Sequence, residues 1–378
     1  MNRMNVAVIG LGTIGGGVCL MLSKYQKEDV KLYAICDKRV EILENLDLNV
    51  KKYQDYRDVL IDKDVDLIVE VMGGEHPAFE VIKEALERGI SVVSANKEVV
   101  AKHYEELSEI LKKSSARFLF EASVGGVVPI VNAIYNYQRA NKIERIEGIL
   151  NGSTNFLLTL MQKDGVSYSC AVEEAKRRGF LEQDPRSDLR GLDMMRKIVI
   201  LSNIAYNTCL DIDDVYSYSL ENVTDKFIEE LKINDLMLKY MAESTIKDGK
   251  VSIRIEPVCV SSNSLYASII YERNYVAFIG EEQEKVEMMG LGAGRFPTAT
   301  AIISDIMQIA SEAPKLDLEI KEKLKINNNE LVDRYIIDGK IDDSLVSHKL
   351  GSLLVTKEIS WKELQNNLDK IKFYARIK

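Results

Sequence analysis

The strongest constraint on the fold lies near the start of the chain. There the apolar run Val6-Ala7-Val8-Ile9 passes directly into Gly10-Leu11-Gly12-Thr13-Ile14-Gly15 and then into a segment of helical period. A strand that ends on a Gly-x-Gly-x-x-Gly turn and opens a helix is the arrangement that seats a dinucleotide. Gly10 permits the tight turn, Gly12 lets backbone approach a pyrophosphate with no Cβ between, and Gly15 lets helix pack closely on strand. The helix N-terminus then attracts the anion. Thr13 and Ile14 complete this loop. A glycine-rich turn that binds nothing is the alternative, and the flanking strand and helix weigh against it.

From Asn5 to about Gly126 short β-rich runs alternate with helical ones. Strands are expected at Asn5 to Ile9, Lys31 to Cys36, Asp66 to Val71, Ser91 to Ser94 and Arg117 to Glu121, with helices at Ile14 to Tyr25, Pro77 to Arg88 and Lys97 to Lys112. That alternation predicts an α/β fold with a Rossmann-type, doubly wound parallel sheet. After Pro129 longer amphipathic helices mix with strands such as Val251 to Ile255 and Leu265 to Ile270, which reads as an α+β domain. With 378 residues, more than one core is expected. The expected division is a nucleotide-binding domain over 1–130, a substrate and dimerisation domain over 131–317, and a small charged appendage over 318–378. A helix at about 298–312 is expected to pack back on the first domain.

Lys plus Arg number 50 and Asp plus Glu 59, a net charge of -9 that suits no phosphate backbone, so a nucleic-acid partner is disfavoured. The longest apolar runs, such as Leu67 to Met72 with Glu70 inside, are too short for a bilayer, and the N-terminus has no signal-peptide pattern. A cytoplasmic protein is the expectation. Five scattered cysteines without a C-x-x-C pair suit reduced thiols rather than disulfides or zinc.

The second expected strand ends at Cys36-Asp37-Lys38-Arg39. An acid there accepts the ribose hydroxyls of NAD, and an arginine favours the 2′-phosphate of NADP. Both are present, and Asp37 is also placed to cap the next helix, so cofactor preference stays open.

Further along, the ordered motifs Met72-Gly73-Gly74, Ser94-Ala95-Asn96-Lys97, Glu121-Ala122-Ser123-Val124-Gly125-Gly126, Asn151-Gly152-Ser153-Thr154-Asn155 and Gly179-Phe180-Leu181-Glu182-Gln183-Asp184-Pro185 resemble those of homoserine dehydrogenase. Gly191-Leu192-Asp193-Met194-Met195-Arg196-Lys197 and Gly292-Ala293-Gly294-Arg295-Phe296-Pro297-Thr298 complete the series. The resemblance implies an NAD(P)-dependent enzyme of the aspartate-derived amino-acid pathway that interconverts L-homoserine and L-aspartate 4-semialdehyde. Reduction of an aldehyde needs a hydride from a nicotinamide and a proton for the carbonyl oxygen, with no nucleophile.

Asp193 and Lys197 stand at i and i+4 on an expected helix from Leu192 to Ala205, so both project from one face. Beside Ile198, Leu201 and Ile204 the ammonium is expected to be partly desolvated, which lowers its pKa while Asp193 opposes the shift. On composition alone such a pair is usually a solvated surface bridge. The resemblance instead implies that Lys197 donates and accepts the proton, that Asp193 touches substrate, and that Glu182, helped by Asp188, holds the substrate's ammonium. It also implies that Lys97 contacts nicotinamide ribose and substrate, that Gly73 and Ser94 meet the cofactor, and that Gly179 and Gly294 lie where backbone approaches it. Arg295 departs from a family pattern that often has glycine. Glu121 and the carbonyls of Val124, Gly126 and Val128 match a site for a monovalent cation, usually sodium. Relatives are homo-oligomers, commonly dimers. Two rivals remain at this level: another two-domain amino-acid or hydroxy-acid oxidoreductase, and a catalytically dead nucleotide sensor.

Overall fold

The computed structural model describes residues 3–24, 29–281, 285–313 and 315–378. The chain forms two compact units. One comprises Met1–Ala140, Ile200–Cys209 and Gly290–Lys323, the other Asn141–Val199, Leu210–Met289 and Leu324–Lys378.

The first unit is built on the strands β1 (Met4–Ile9), β2 (Val30–Cys36), β3 (Lys51–Tyr53), β4 (Leu67–Glu70), β5 (Ser91–Ser94) and β6 (Phe118–Leu119). They form one parallel sheet in the order β3-β2-β1-β4-β5-β6. Val6 to Ile9 and Leu67 to Val69 are buried, as continuous apolar runs must be in central parallel strands. The order reverses between β1 and β4, and in open α/β sheets ligands bind outside the carboxyl ends at such a switch. The expected doubly wound sheet is therefore present.

Several boundaries differ for local reasons. Lys51-Lys52-Tyr53 had no apolar run to reveal it, because an edge strand needs little burial. The expected strand from Arg117 stops at Leu119, since Glu121–Ser123 turns into a 3-10 helix. The expected helix from Lys97 breaks at His103 into Lys97–Lys102 and Tyr104–Lys113. The first helix is Thr13–Lys24, and its expected end at Tyr25 lies outside the described residues. Against it packs the helix Arg295–Ala310. A Cβ on Gly17 would stand 3.0 Å from the Cγ of Arg295 and 3.4 Å from the Cβ of Ala299, so glycine there sets how closely the two helices approach.

The second unit carries a mixed sheet. Its strands run in the order Val286–Leu291, Arg273–Gly280, Ile143–Ile149, Leu236–Lys247, Lys250–Ser261, Ile371–Ile377, Tyr335–Gly339, Leu353–Thr356 and Val346–Leu350. The segment expected as a strand from Leu265 is a short helix, Leu265–Ser268, because Ser264 caps it at Ala267. The charged residues after Leu318 are no separate appendage from Leu324 onward. Ile371–Ile377 lies inside the sheet, parallel to Lys250–Ser261 and antiparallel to Tyr335–Gly339. Its arginine is partnered rather than solvated: Arg376 meets Glu256 at 2.7 Å and Glu243 at 3.3 Å, all three buried. Sequence pattern alone cannot separate such a buried charge from a wet one. No helix among the described residues is long and apolar enough to cross a membrane.

Candidate active site

The glycine loop at the end of β1 distributes its strain as the three tasks require. Gly10 has φ +97°, and a Cβ there would meet the Val71 carbonyl oxygen at 2.7 Å. A Cβ on Gly15 would fall 1.8 Å from the Gly10 oxygen, while one on Gly12 would meet no atom within 4 Å. Gly10 and Gly15 are thus fixed by the fold itself, whereas no neighbouring atom requires glycine at position 12. Beyond the loop lies a cavity of about 720 Å³, whose lining includes Gly12, Asp37, Lys38, Arg39, Arg57 and Gly73.

Asp37 is buried at the end of β2 and does not cap the next helix, whose N-cap is Arg39 without a side-chain cap. One carboxylate oxygen accepts from the Leu11 N–H at 2.8 Å and from Arg39 Nη2 at 2.7 Å; the other accepts from Arg39 Nε at 2.8 Å and its backbone N–H at 3.0 Å. The Arg39 guanidinium holds this carboxyl well below the usual carboxylate range. Asp37 therefore ties the glycine loop to an arginine that stands at the cavity wall.

Glu70, at the end of β4, is a residue that the sequence signalled only as a charge inside an apolar run. It is fully buried and accepts from Ser94 Oγ at 2.6 Å and from the Met72 N–H at 2.9 Å, with its pKa pushed up by burial. The hydroxyl of Ser94, expected to meet the cofactor, is turned inward, because a buried carboxyl needs donors more than the surface does. Asn96 completes the frame by donating to the Gly74 carbonyl at 2.7 Å and capping the helix that begins with Lys97. Gly73 and Gly74, with φ of +76° and +73°, make the turn between them.

The helix Leu192–Tyr206, whose first turns up to Val199 belong to the second unit, starts on Gly191, whose φ is +76° and where a Cβ would strike Ser217, Tyr240 and Ile255. This start brings Asp193 and Lys197 inward: the two are 8% and 7% exposed, which rules out the solvated surface bridge. Lys197 Nζ donates to Asp193 Oδ2 at 2.8 Å and to the Leu150 carbonyl at 2.7 Å. Asn151, to which the sequence pattern alone gives no role, donates to Asp188 Oδ1 at 2.6 Å and to Asp193 Oδ2 at 3.0 Å. Its own oxygen caps the helix Gly152–Lys163 at Thr154. One amide thus aligns both carboxylates. Glu182 is exposed in the loop after Gly179, which has φ +75°, and Asp188 sits on the short helix Arg186–Leu189. The carboxylates of Asp188 and Asp193 and the ammonium of Lys197, joined through Asn151, suit a small substrate that carries its own charges.

Glu121 is buried and accepts from the N–H groups of Val131 and Asn132 and from the Asn132 side chain, at 2.9, 2.9 and 2.6 Å. Asp305 accepts from the Glu121 N–H at 2.9 Å, and its other oxygen is buried without a partner among the described residues. Burial raises both carboxyls, that of Asp305 the more. Gly126, with φ +60°, presses on Leu291 and Gly292, where a Cβ would lie 2.5 Å from the Leu291 oxygen. Gly294, at φ +121°, is the N-cap of Arg295–Ala310. Arg295 lies along the first helix with a guanidinium nitrogen 3.5 Å from where Gly16 would carry a Cβ.

Residues 10–121 match the family model described as "Homoserine dehydrogenase, NAD binding domain", and residues 129–307 match the one described as "Homoserine dehydrogenase". The homoserine dehydrogenase of Bacillus subtilis is 31% identical over 318 residues, covering 82% of this chain and 73% of that protein. The chain belongs to the homoserine dehydrogenase family. The Corynebacterium glutamicum homoserine dehydrogenase, 30% identical over 392 residues, covers 96% of this chain and 86% of its own length. The crystal structure of a homoserine dehydrogenase from Thiobacillus denitrificans shares the fold, with a TM-score of 0.90 at 24% identity over 100% of this chain and 99% of that one. A hyperthermophilic archaeal homoserine dehydrogenase solved in complex with NADPH matches at a TM-score of 0.71 and 25% identity, over 83% and 100% of the two chains. The enzyme is accordingly an NAD(P)-dependent oxidoreductase that interconverts L-homoserine and L-aspartate 4-semialdehyde, a step of amino-acid biosynthesis. Neither rival reading is favoured.

Proposed function

We propose that Lys197 is the proton donor in aldehyde reduction and the acceptor in homoserine oxidation. The observation that carries this is the buried ammonium fixed between Asp193 Oδ2 and the Leu150 carbonyl. A group so held keeps one geometry and gains or loses its proton in a medium where charge is costly. Asp193 orients the ammonium, and Asn151 in turn orients Asp193 and Asp188. The exposed Glu182 takes the substrate's α-ammonium, with Asp188 beside the same amide frame. When bound, the nicotinamide supplies or takes the hydride.

The first unit holds the cofactor: Gly10, Gly12, Thr13, Ile14 and Gly15 cradle the pyrophosphate, and Gly73, Lys97 and Gly294 are assigned to the nicotinamide half. We infer that NADPH is preferred to NADH. Both carboxylate oxygens of Asp37 are already engaged by Arg39 and the loop, so the cavity presents Arg39, Lys38 and Arg57 where an NAD enzyme would present a bare acid. A monovalent cation, sodium by preference, fits the Glu121 region. Glu121 has spent three of its acceptor positions on helix donors, yet two buried carboxyls within Coulombic reach of each other call for positive charge, and the carbonyls of Val124, Gly126 and Val128 are hard ligands. A cytoplasmic homo-oligomer, a dimer in the simplest case, is the working state of this proposal. Steady-state rates with NADH and NADPH for the parent and for Lys197→Met test it: activity in Lys197→Met close to that of the parent would remove the central assignment.

A further inference from the structure

Leu150 lies one residue past the strand Ile143–Ile149, and its carbonyl oxygen is shared by two side chains. Lys197 Nζ donates to it at 2.7 Å, and Asn274 Nδ2 donates to it at 3.0 Å. Asn274 is the second residue of the strand Arg273–Gly280, next to Tyr275, which pairs with Ile149, so the ladder itself brings the amide beside that carbonyl. Asn274 is 2% exposed, and its Oδ1 has no partner among the described residues. An orphaned buried carbonyl oxygen costs stability, and turning the amide over would set that oxygen against the oxygen of Leu150. The partnered polar group of this side chain is thus its donor, and a hydrocarbon of similar shape would remove the orphaned oxygen while the Leu150 carbonyl keeps the bond from Lys197.

The segment leading to Asn274 is itself fixed. Asn155 donates through Nδ2 to the carbonyls of Ile269, Tyr271 and Arg273 at 3.1, 2.9 and 3.1 Å, and Lys239 Nζ donates to that of Ile269 at 2.5 Å. The motif that aligns Asp193 through Asn151 therefore anchors Asn274 through Asn155.

We propose that Asn274 is a positioning residue for proton transfer by Lys197, acting through the Leu150 carbonyl that the two side chains share. This rests on the reading of Lys197 given above. Two donors on one oxygen weaken each other, so the Asn274 N–H both fixes the direction of that carbonyl and limits how strongly it holds the ammonium. The carboxylates that share this surrounding are Asp193, bonded to Lys197, and Asp188, joined to it through Asn151.

The test uses Asn274→Leu and Asn274→Asp in the full chain, with Lys197→Met as the reference. For Asn274→Leu, kcat of homoserine oxidation should fall roughly tenfold, the scale of a small misplacement of a reacting group, with the cofactor KM unchanged and the melting temperature equal or higher. The acidic limb of its kcat–pH profile should move up by about half a pH unit, because the ammonium form now holds the carbonyl alone. Asn274→Asp, which places a carboxylate there, should move the same limb further in the same direction. A parent-like kcat and pH profile in whichever of the two variants folds would overturn the proposal, and so would a fall in melting temperature with the parent profile retained, which marks a structural residue. Parent-like activity in Lys197→Met would instead sink the assignment of the proton-transfer group.

Discussion

Replacing Lys197 by Met removes an ammonium and leaves a stem of similar length among the same neighbours. The side chains of Lys197 and Asp193 are 9% and 11% exposed, so solvent screens the abandoned carboxylate little. Breaking such a pair from one side costs about 3–5 kcal/mol. Asn151 Nδ2 still donates to Asp193 Oδ2, and a hydrogen bond to a charged group contributes roughly 1.5–3 kcal/mol, which places the loss near the lower bound, about 3 kcal/mol. The double variant Asp193→Asn/Lys197→Met removes the stranded charge and should recover most of that stability while regaining no activity. For catalysis, loss of the general acid–base group should lower kcat by roughly 10² to 10⁴, with cofactor affinity unchanged. Urea unfolding of the three proteins and steady-state oxidation of homoserine at saturating cofactor measure both effects. A single variant as stable as the parent would refute the account of the buried pair, and a kcat within a factor of three of the parent would refute the proton-transfer role.

Other consequences are open to the same assays. Arg39→Ala should weaken NADPH about tenfold, the lower end for a half-exposed charge-assisted contact, and leave NADH nearly unchanged; equal losses for both would show that Arg39 does not meet the 2′-phosphate. Gly12→Ala should fold normally, since its Cβ meets nothing within 4 Å, and lose cofactor affinity, whereas Gly15→Ala should fail to fold with the parent's stability because its Cβ falls 1.8 Å from the Gly10 oxygen. Glu182→Gln should chiefly raise the KM for homoserine, and an unchanged KM would move the ammonium site elsewhere. Burial raises the Asp305 carboxyl above its unfolded value, so the folded chain holds that proton more tightly than the unfolded one. Its contribution is therefore present at low pH and is lost as pH rises from the ordinary carboxyl range toward the folded value. Asp305→Asn should flatten that slope in chemical denaturation, and sodium should offset it in the parent more than an equal ionic strength of choline. No difference between the two salts would argue against the cation.

Much of this was legible in the chain itself, because some requirements are local. A strand, three glycines at fixed spacing and a helix specify a dinucleotide turn from local sequence, since the positive φ of Gly10 and the contact of Gly15 with the Gly10 oxygen are steric demands within the loop itself. The i, i+4 spacing of Asp193 and Lys197 likewise fixes that they face one way. Which way was beyond the sequence. Only the fold buries that face and supplies the Leu150 carbonyl, 47 residues away, and it alone turns the hydroxyl of Ser94 toward Glu70 rather than outward. The same holds for Arg376, whose partners Glu243 and Glu256 come from strands more than a hundred residues upstream, and which pattern alone would leave in water. Periodicity records the geometry between near neighbours, whereas the burial of a charge depends on which distant groups arrive to satisfy it, and that is settled when the sheet is assembled.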